Sequence, residues 1–406
     1  MPQLYDLRGT YRTSSAEDTL RSIGPLAKII GITRTANVTG LDTIGIPVWL
    51  AVRPLSKSLT VSQGKGANNQ LAKISALMES IELFHAEHHV PSGRSYPVCT
   101  AWRDSDFLHP ASLPIRADEN VDANFVCEWI YAKSIDGSAI KLVPRELMDL
   151  DSCVKRLRLF NSSSNGLASG NCISEAILHG LCEIIERHEL TFWLAKRKFF
   201  GKNYSSRINL ESVDDAYCRK LVEVCEQAGL SLAVWYMSSS TSIPAFSCAL
   251  LEAHNTFYNQ RASGHGAHVK KHVALARAIT EALQSRLTHI AGSRDDVTWK
   301  RFRDEISLDG DRHSDWADSI KNESAVIDYM DIVEFPKTKF STNEALDWIM
   351  ISLSDISVDQ VYYVDLTRSE YGIPVVFVIA PGLEMSASKP NYTPGRMMLK
   401  FLRTLE

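Results

Sequence analysis

Two glutamates three residues apart occur twice at one fixed distance behind a glycine, and this constrains the fold more than any other feature. Glu79 and Glu82 stand 13 and 16 residues after Gly66 (79−66 and 82−66), and Glu183 and Glu186 stand 13 and 16 after Gly170 (183−170 and 186−170). A small residue recurs seven positions before the first carboxylate, as Ala72, Ala176 and, in a third copy, Ala274 before Glu281. In that copy Gln284 takes the place of the second glutamate and Arg286 closes the segment. Each pair lies on a predicted helix. From Ser174 onward, Ile177, Leu181, Ile184 and Ile185 fill the apolar rows of a core helix, with Glu183 and Glu186 on one face. Over residues 71–89, Ile74, Leu77, Met78 and Ile81 mark the core side, with Ser75, Glu79 and Glu82 opposite. The third helix is expected over 273–290.

What precedes these helices also repeats. Strand candidates lie either side of Gly40-Leu41-Asp42, over 125–135 and 138–144 around Asp136-Gly137, and over 231–237 and 243–252. A Gly-containing loop follows each, for example Gln63-Gly64-Lys65-Gly66-Ala67, and then comes the long helix. The motifs Gly45-Ile46-Pro47-Val48, Ser242-Ile243-Pro244-Ala245 and Gly372-Ile373-Pro374-Val375 mark corresponding strands. The expected fold is α+β, built from repeated ββα units with mainly antiparallel sheets and long packed helices. Ser14 or Ser15 is the expected N-cap of a first helix running to Ile30, and a polar, helical and loop-rich segment over 292–358 precedes a last hairpin over 361–384. At 406 residues the chain reads as one composite domain with intertwined parts near 1–60, 61–291 and 292–406.

Two carboxylates about 4 Å apart at an effective dielectric near 20 repel by about 4 kcal/mol, so each helix needs a cation, a proton or solvent beside it. If the repeated units pack side by side, Glu79, Glu82, Glu183 and Glu186 face one cavity. Hard cations then become necessary, and Mg2+ shared between carboxylates and a nucleotide polyphosphate fits. Lys65, Arg187, Arg286 and Arg12 are the candidate partners of phosphate oxygens. Walker GxxxxGK[ST] and the kinase set GxGxxG, HRD and DFG are absent, which disfavours P-loop enzymes and protein kinases. The eight cysteines form no CxxC pair and read as reduced thiols, and His85, His88 and His89 read as a helix end.

With 45% hydrophobic and 23% charged residues the chain is of ordinary globular composition, and no apolar run reaches the length of a membrane span. A net charge of −4 gives no general attraction to nucleic acid or anionic lipid. The first twenty residues lack the pattern of a secretory signal, so a cytoplasmic location is expected, without nucleic-acid or membrane partners.

The set Ser75-x3-Glu79-x2-Glu82, Asn165-Gly166 through Glu175-x7-Glu183-x2-Glu186-Arg187, and Glu281-x2-Gln284-x-Arg286 resembles the YcaO family. The likeness runs from Arg12-Thr13-Ser14 to the segment ending at Glu384. It implies an ATP- and Mg2+-dependent enzyme that phosphorylates the carbonyl oxygen of a backbone amide, after which a nucleophile attacks the carbon and phosphate leaves. By this resemblance Arg12, Ser75, Glu79, Asn171, Glu183, Arg187 and Arg286 bind nucleotide, while Glu79, Glu82, Glu175, Glu183 and Glu186 hold the metal; no catalytic residue is singled out. Azoline-forming members often end in a PxPxP tail, which the final residues KPNYTPGRMMLKFLRTLE lack. The chain is therefore closer to members paired with a TfuA-like partner that install thioamides in a peptide or protein substrate. An azoline-forming cyclodehydratase and a non-catalytic nucleotide-binding scaffold are the alternatives. The resemblance also implies a homodimer.

Overall fold

Three antiparallel meanders, each of three strands and each delivered onto a long helix, make up the centre of the computed structural model, which describes residues 3–116, 124–154, 156–201, 204–252, 262–294, 320, 322–385 and 392–405. The first begins after α1 (Ala16–Ile29), whose N-cap is Ser15, its side chain accepting from Asp18 N. Strands β1 (Arg34–Asn37), β2 (Val48–Val52) and β3 (Val61–Lys65) pair in that order and lead into α2 (Asn69–His88). Next come β4 (Arg94–Pro97), β5 (Val126–Ser134), β6 (Ile140–Pro144), β7 (Leu167–Ser169) and α3 (Ile173–Phe200). After α4 (Ala216–Gln227), strands β8 (Leu230–Tyr236), β9 (Ala245–Glu252) and β10 (Ala262–Ala267) form another meander ending in α5 (Lys271–Ala291). The chain closes with α6 (Thr342–Ser354), β11 (Tyr362–Asp365), β12 (Val375–Ile379) and α7 (Arg396–Arg403).

The α+β class with mostly antiparallel sheets is as expected, but the repeating unit differs in two ways. The glycine-rich pieces read as loops are strands: β3 runs through Gly64 to Lys65, and β10 through Gly264 and Gly266 to Ala267. The unit is therefore βββα. The hairpin β5–β6 also does not serve α3. Instead β7 pairs with β12, and β12 with β11, so the last hairpin of the chain completes the middle meander, while β4, β5 and β6 extend the same six-stranded sheet on the other side of β11. Much of the 292–358 segment, residues 295–319, lies outside the described residues. Among the described residues no helix is long and apolar enough to cross a membrane.

The Ile-Pro motif marks the start of the middle strand in all three meanders, and the residue after proline pairs with the last residue of the third strand: Val48 with Lys65, Val375 with Ser169, Ala245 with Ala267. From those three residues a common count runs into the helices. At one position before and eleven after (65−1 and 65+11, and likewise from 169 and 267), strand and helix meet through Gly64 and Ala76, Ala168 and Gly180, and Gly266 and Ala278. The contact leaves no room for two side chains. A Cβ on Gly64 would lie 2.1 Å from Ala72 O and Ala76 N, one on Gly266 2.2 Å from Ala274 O, and one on Gly180 2.8 Å from Gly166 O. In the middle unit the glycine has moved from strand to helix. Behind these contacts Leu77, Ile81, Leu181, Ile185, Ile279 and Leu283 are buried.

Each third strand also packs on a neighbouring unit's helix, β3 on α5, β7 on α2 and β10 on α3, so the three units close on one another cyclically. Gly64→Ala is expected to lower the unfolding free energy by about 3 kcal/mol through overpacking. At exposed Gly40, where a Cβ meets nothing within 4 Å, the same substitution should stay within about 0.5 kcal/mol. Urea unfolding of the two variants checks this.

Candidate active site

The cyclic packing aims the polar face of each long helix at one cavity of about 570 Å³. Fourteen residues after the end of the third strand stand Glu79, Glu183 and Glu281 (79−65, 183−169 and 281−267), and ten residues after it stand Ser75, His179 and Arg277 (75−65, 179−169 and 277−267); all six line the cavity. Ile74 and Met78, expected on the core side of α2, line it as well.

The carboxylates are not equivalent. Glu79 Oε2 accepts from Gln63 N at 2.7 Å, and its pKa is raised by burial. Glu82 Oε1 accepts from Ser169 N at 2.8 Å and Ser169 Oγ at 2.5 Å, two neutral donors. Burial, reinforced by Glu79 and Glu183, pushes Glu82 up to about 8 despite those bonds. Glu183 lies 4.0 Å from Arg187 Nη2; burial raises it to about 7 with Glu186 adding to the shift, although Arg187 opposes it. Glu281 goes the other way: burial would raise it, but Lys65 at 2.8 Å, Arg187 and His265 together bring it down to about 2.

Glu175, at the start of α3, is a clasp for the N-terminal segment. Its Oε2 accepts from Thr13 N (2.7 Å) and Thr13 Oγ1 (2.6 Å), its Oε1 from Asn171 Nδ2 (3.1 Å), and Arg12 sits 3.6 Å away. Asn171 Oδ1 in turn accepts from Thr19 Oγ1 at 2.8 Å, which ties α1 to the cavity wall. Arg12, Ser75, Asn171, Glu175 and Arg187 all line the cavity as well.

Two expected residues are placed elsewhere. Arg286 does not line the cavity; its Nε donates to Asp42 Oδ2 at 2.9 Å, because nine residues separate it from Arg277 and turn it toward the first meander. Glu186 is also outside the lining, 5% exposed and 3.4 Å from Arg187, so it reaches the cavity through that guanidinium. In exchange the cavity gains His179 and Arg277, joined at 2.7 Å between Arg277 Nη2 and His179 Nε2. Burial, then Arg277 and Arg12, hold His179 neutral, so its Nε2 accepts from the guanidinium. Both stand at the position Ser75 holds in α2, and counting from the strand ends would have found them.

A family model described as YcaO cyclodehydratase, ATP- and Mg2+-binding, matches residues 63–384. The chain belongs to the YcaO family. A Rhizobium leguminosarum bv. trifolii protein from the tfuA 3′ region is 31% identical over 402 residues, covering 97% of this chain and 94% of that one. The structure of YcaO from Methanopyrus kandleri bound with AMPPCP and Mg2+ superposes with a TM-score of 0.73 at 18% identity, covering 97% of this chain and 98% of that one. A heterocyclase in complex with substrate and cofactor superposes with a TM-score of 0.75 at 20% identity over 92% of this chain, which spans only 53% of that one. At these identities the two structures attest the shared YcaO fold.

ATP and Mg2+ are the cofactors of this family, and the donor set suits them. Glu79, Glu82 and Glu183 offer hard oxygen ligands whose charge burial disfavours, so a dication would satisfy them. Among the described residues no three His, Cys, Asp or Glu side chains converge enough to hold a metal by themselves. Mg2+ is usually carried by one or two carboxylates and completed by phosphate oxygens and water.

A carboxyl whose folded pKa lies above its unfolded value contributes stability at low pH that is lost as pH rises through the folded pKa. For Glu82 and Glu183, raised from 4.5 to about 8 and about 7, the loss runs from about pH 4.5 up to pH 7–8. The melting temperature of the nucleotide-free protein should therefore fall between about pH 5 and pH 8, and Glu82→Gln should flatten the fall. Equal slopes for the two proteins would contradict the assignment.

Proposed function

We propose that this YcaO protein uses ATP and Mg2+ to phosphorylate the carbonyl oxygen of a backbone amide in a peptide or protein, and that sulfur then displaces the phosphate to leave a thioamide. One observation carries the first half: half-buried carboxylates from α2 and α3 and the guanidinium groups of Arg12, Arg187 and Arg277 face a single cavity. Carboxylates alone would suit a bare cation, and guanidinium groups alone a bare anion; a metal–polyphosphate needs both.

In this reading Mg2+ would be held by carboxylates from among Glu79, Glu82 and Glu183 together with phosphate oxygens, with Glu186 behind them fixing Arg187. A bound Mg2+ would supply neutralisation of the charge on the phosphate oxygens. Arg187 and Arg277 bind phosphate oxygens from two walls, with neutral His179 aiming Arg277. Glu175 and Asn171 hold Arg12 and α1 against the nucleotide. The amide oxygen attacks the γ-phosphorus and ADP departs; the sulfur nucleophile then adds to the amide carbon, and phosphate leaves with the former carbonyl oxygen.

The sulfur branch is favoured by the relative from the tfuA 3′ region, and with it a TfuA-like protein as partner. Azoline formation from Cys, Ser or Thr is the second reading, favoured by the likeness to a heterocyclase. The same cavity serves both, since they diverge only after phosphoryl transfer. A homodimer is part of the proposal.

The test is ATP turnover and product mass with a peptide substrate and the candidate partner. The peptide should gain mass by exchange of oxygen for sulfur; loss of water would establish the azoline branch, and nucleotide bound without turnover would establish a scaffold. Glu183→Gln should reduce the turnover number by about 10²-fold or more, the size of effect seen when one preorganised electrostatic group is removed from a transition state. An unchanged turnover number would remove Glu183 from the site.

A further inference from the structure

One strand position is used three times with different chemistry. The last residue of each third strand faces the helix of the neighbouring unit, and its side chain is Lys65 in β3, Ser169 in β7 and Ala267 in β10. Lys65 Nζ lies 2.8 Å from Glu281 Oε2 on α5. Ser169 gives two neutral hydrogen bonds to Glu82 on α2. Ala267 offers no polar group, and the carboxylate of Glu186 on α3 is met by Arg187 of its own helix at 3.4 Å. Only one slot therefore carries an ammonium. The wall it faces also differs, because Gln284 on α5 stands where α2 has Glu82 and α3 has Glu186 (284−267, 82−65 and 186−169).

We propose that Lys65 is a resident cation that occupies the third carboxylate wall and confines Mg2+ to the walls made by α2 and α3. The proposal rests on the metal–nucleotide reading above and adds a direction to it. Three helices related by a common register would otherwise present three similar carboxylate walls, and a nucleotide could load its metal on any of them. An ammonium 2.8 Å from Glu281 takes the oxygen a metal would need, and a dication brought there would meet it at close range. Replacing the second glutamate by Gln284 removes one negative charge from the same wall, so two independent features make α5 the metal-free side. The metal-bearing phosphates are thereby held toward α2 and α3, and the α5 wall, with Arg277, is left for the outer face of the γ-phosphate and the incoming amide. Ser169, in the equivalent slot, is the neutral version that leaves Glu82 available.

This assigns Lys65 differently from a phosphate ligand, and Mn2+ binding separates the two. Mn2+ is titrated into the full-length protein, with and without a non-hydrolysable ATP analogue, and free Mn2+ is read by electron paramagnetic resonance. Lys65→Met should bind one more Mn2+ per chain than the unsubstituted protein, Lys65→Arg should not, and the double variant Lys65→Met/Glu281→Gln should return to the original number. Ser169→Lys, which brings an ammonium to Glu82, should lose one. An unchanged count in Lys65→Met, or an unchanged count with weakened binding of the analogue, overturns the proposal and makes Lys65 a phosphate contact. Should Lys65→Met fail to fold by near-ultraviolet circular dichroism, Ser169→Lys decides alone, an undiminished count being the contrary result. Absence of peptide-dependent ATP turnover in the unsubstituted protein would instead strike the enzymatic reading, and the Mn2+ counts would still be readable.

Discussion

The close approach of each third strand to the helix that follows it sets everything else in this molecule. Where Gly64 meets Ala76, Ala168 meets Gly180 and Gly266 meets Ala278, one partner has no side chain and the other has a single methyl at most. Backbone-to-backbone contact of this kind fixes the helix both along its axis and about it, because a slip of one residue would drive a Cβ into a carbonyl. With that phase fixed in all three units, side chains ten and fourteen residues past each strand must converge. The cavity is thus a consequence of packing, with its chemistry supplied by whatever residues occupy those positions.

Those residues place opposite charges in separate arrangements. Glu82, given only neutral donors by Ser169, is pushed up to about 8 by burial and by its fellow carboxylates, whereas Glu281, given Lys65, is brought down to about 2 against the pull of its burial. Carboxylates on helices related by one register therefore differ in their electrostatic surroundings with the strand residue that meets them. Such incomplete compensation is costly in a ligand-free protein and becomes favourable when a metal–polyphosphate arrives. The arginines follow the same logic: Arg187 is held by Glu183, Glu186 and Glu281, and Arg277 by neutral His179, so neither is neutralised by a single dedicated carboxylate.

Much of this was legible in the sequence because the repeat is one of register. The counts from Gly66 to Glu79 and from Gly170 to Glu183 identified the helix pairs, the Ile-Pro motifs identified the middle strands, and the likeness to YcaO proteins singled out Arg12 and Asn171 as nucleotide residues and Glu175 as a metal ligand, which the structure joins in a clasp. What escaped notice had physical causes. Glycine-rich third strands read as loops, since glycine lowers strand propensity, and only their contact with the helix explains why glycine is there. The pairing of β7 with β12 joins segments about 200 residues apart, and no local pattern announces it. Arg286 and Glu186 follow the right types at the wrong angle, while His179 and Arg277 break the residue type of Ser75 yet keep its place.

The dependence of nucleotide binding on the metal tests this arrangement most directly. Calorimetric titration of the full-length protein with a non-hydrolysable ATP analogue should give binding at least about 100-fold tighter with Mg2+ than with a chelator present, since without the metal the phosphates would face the carboxyl groups of Glu79, Glu82 and Glu183 with no dication between them. Equal affinity under the two conditions would mean that those carboxylates do not meet the phosphates through a metal.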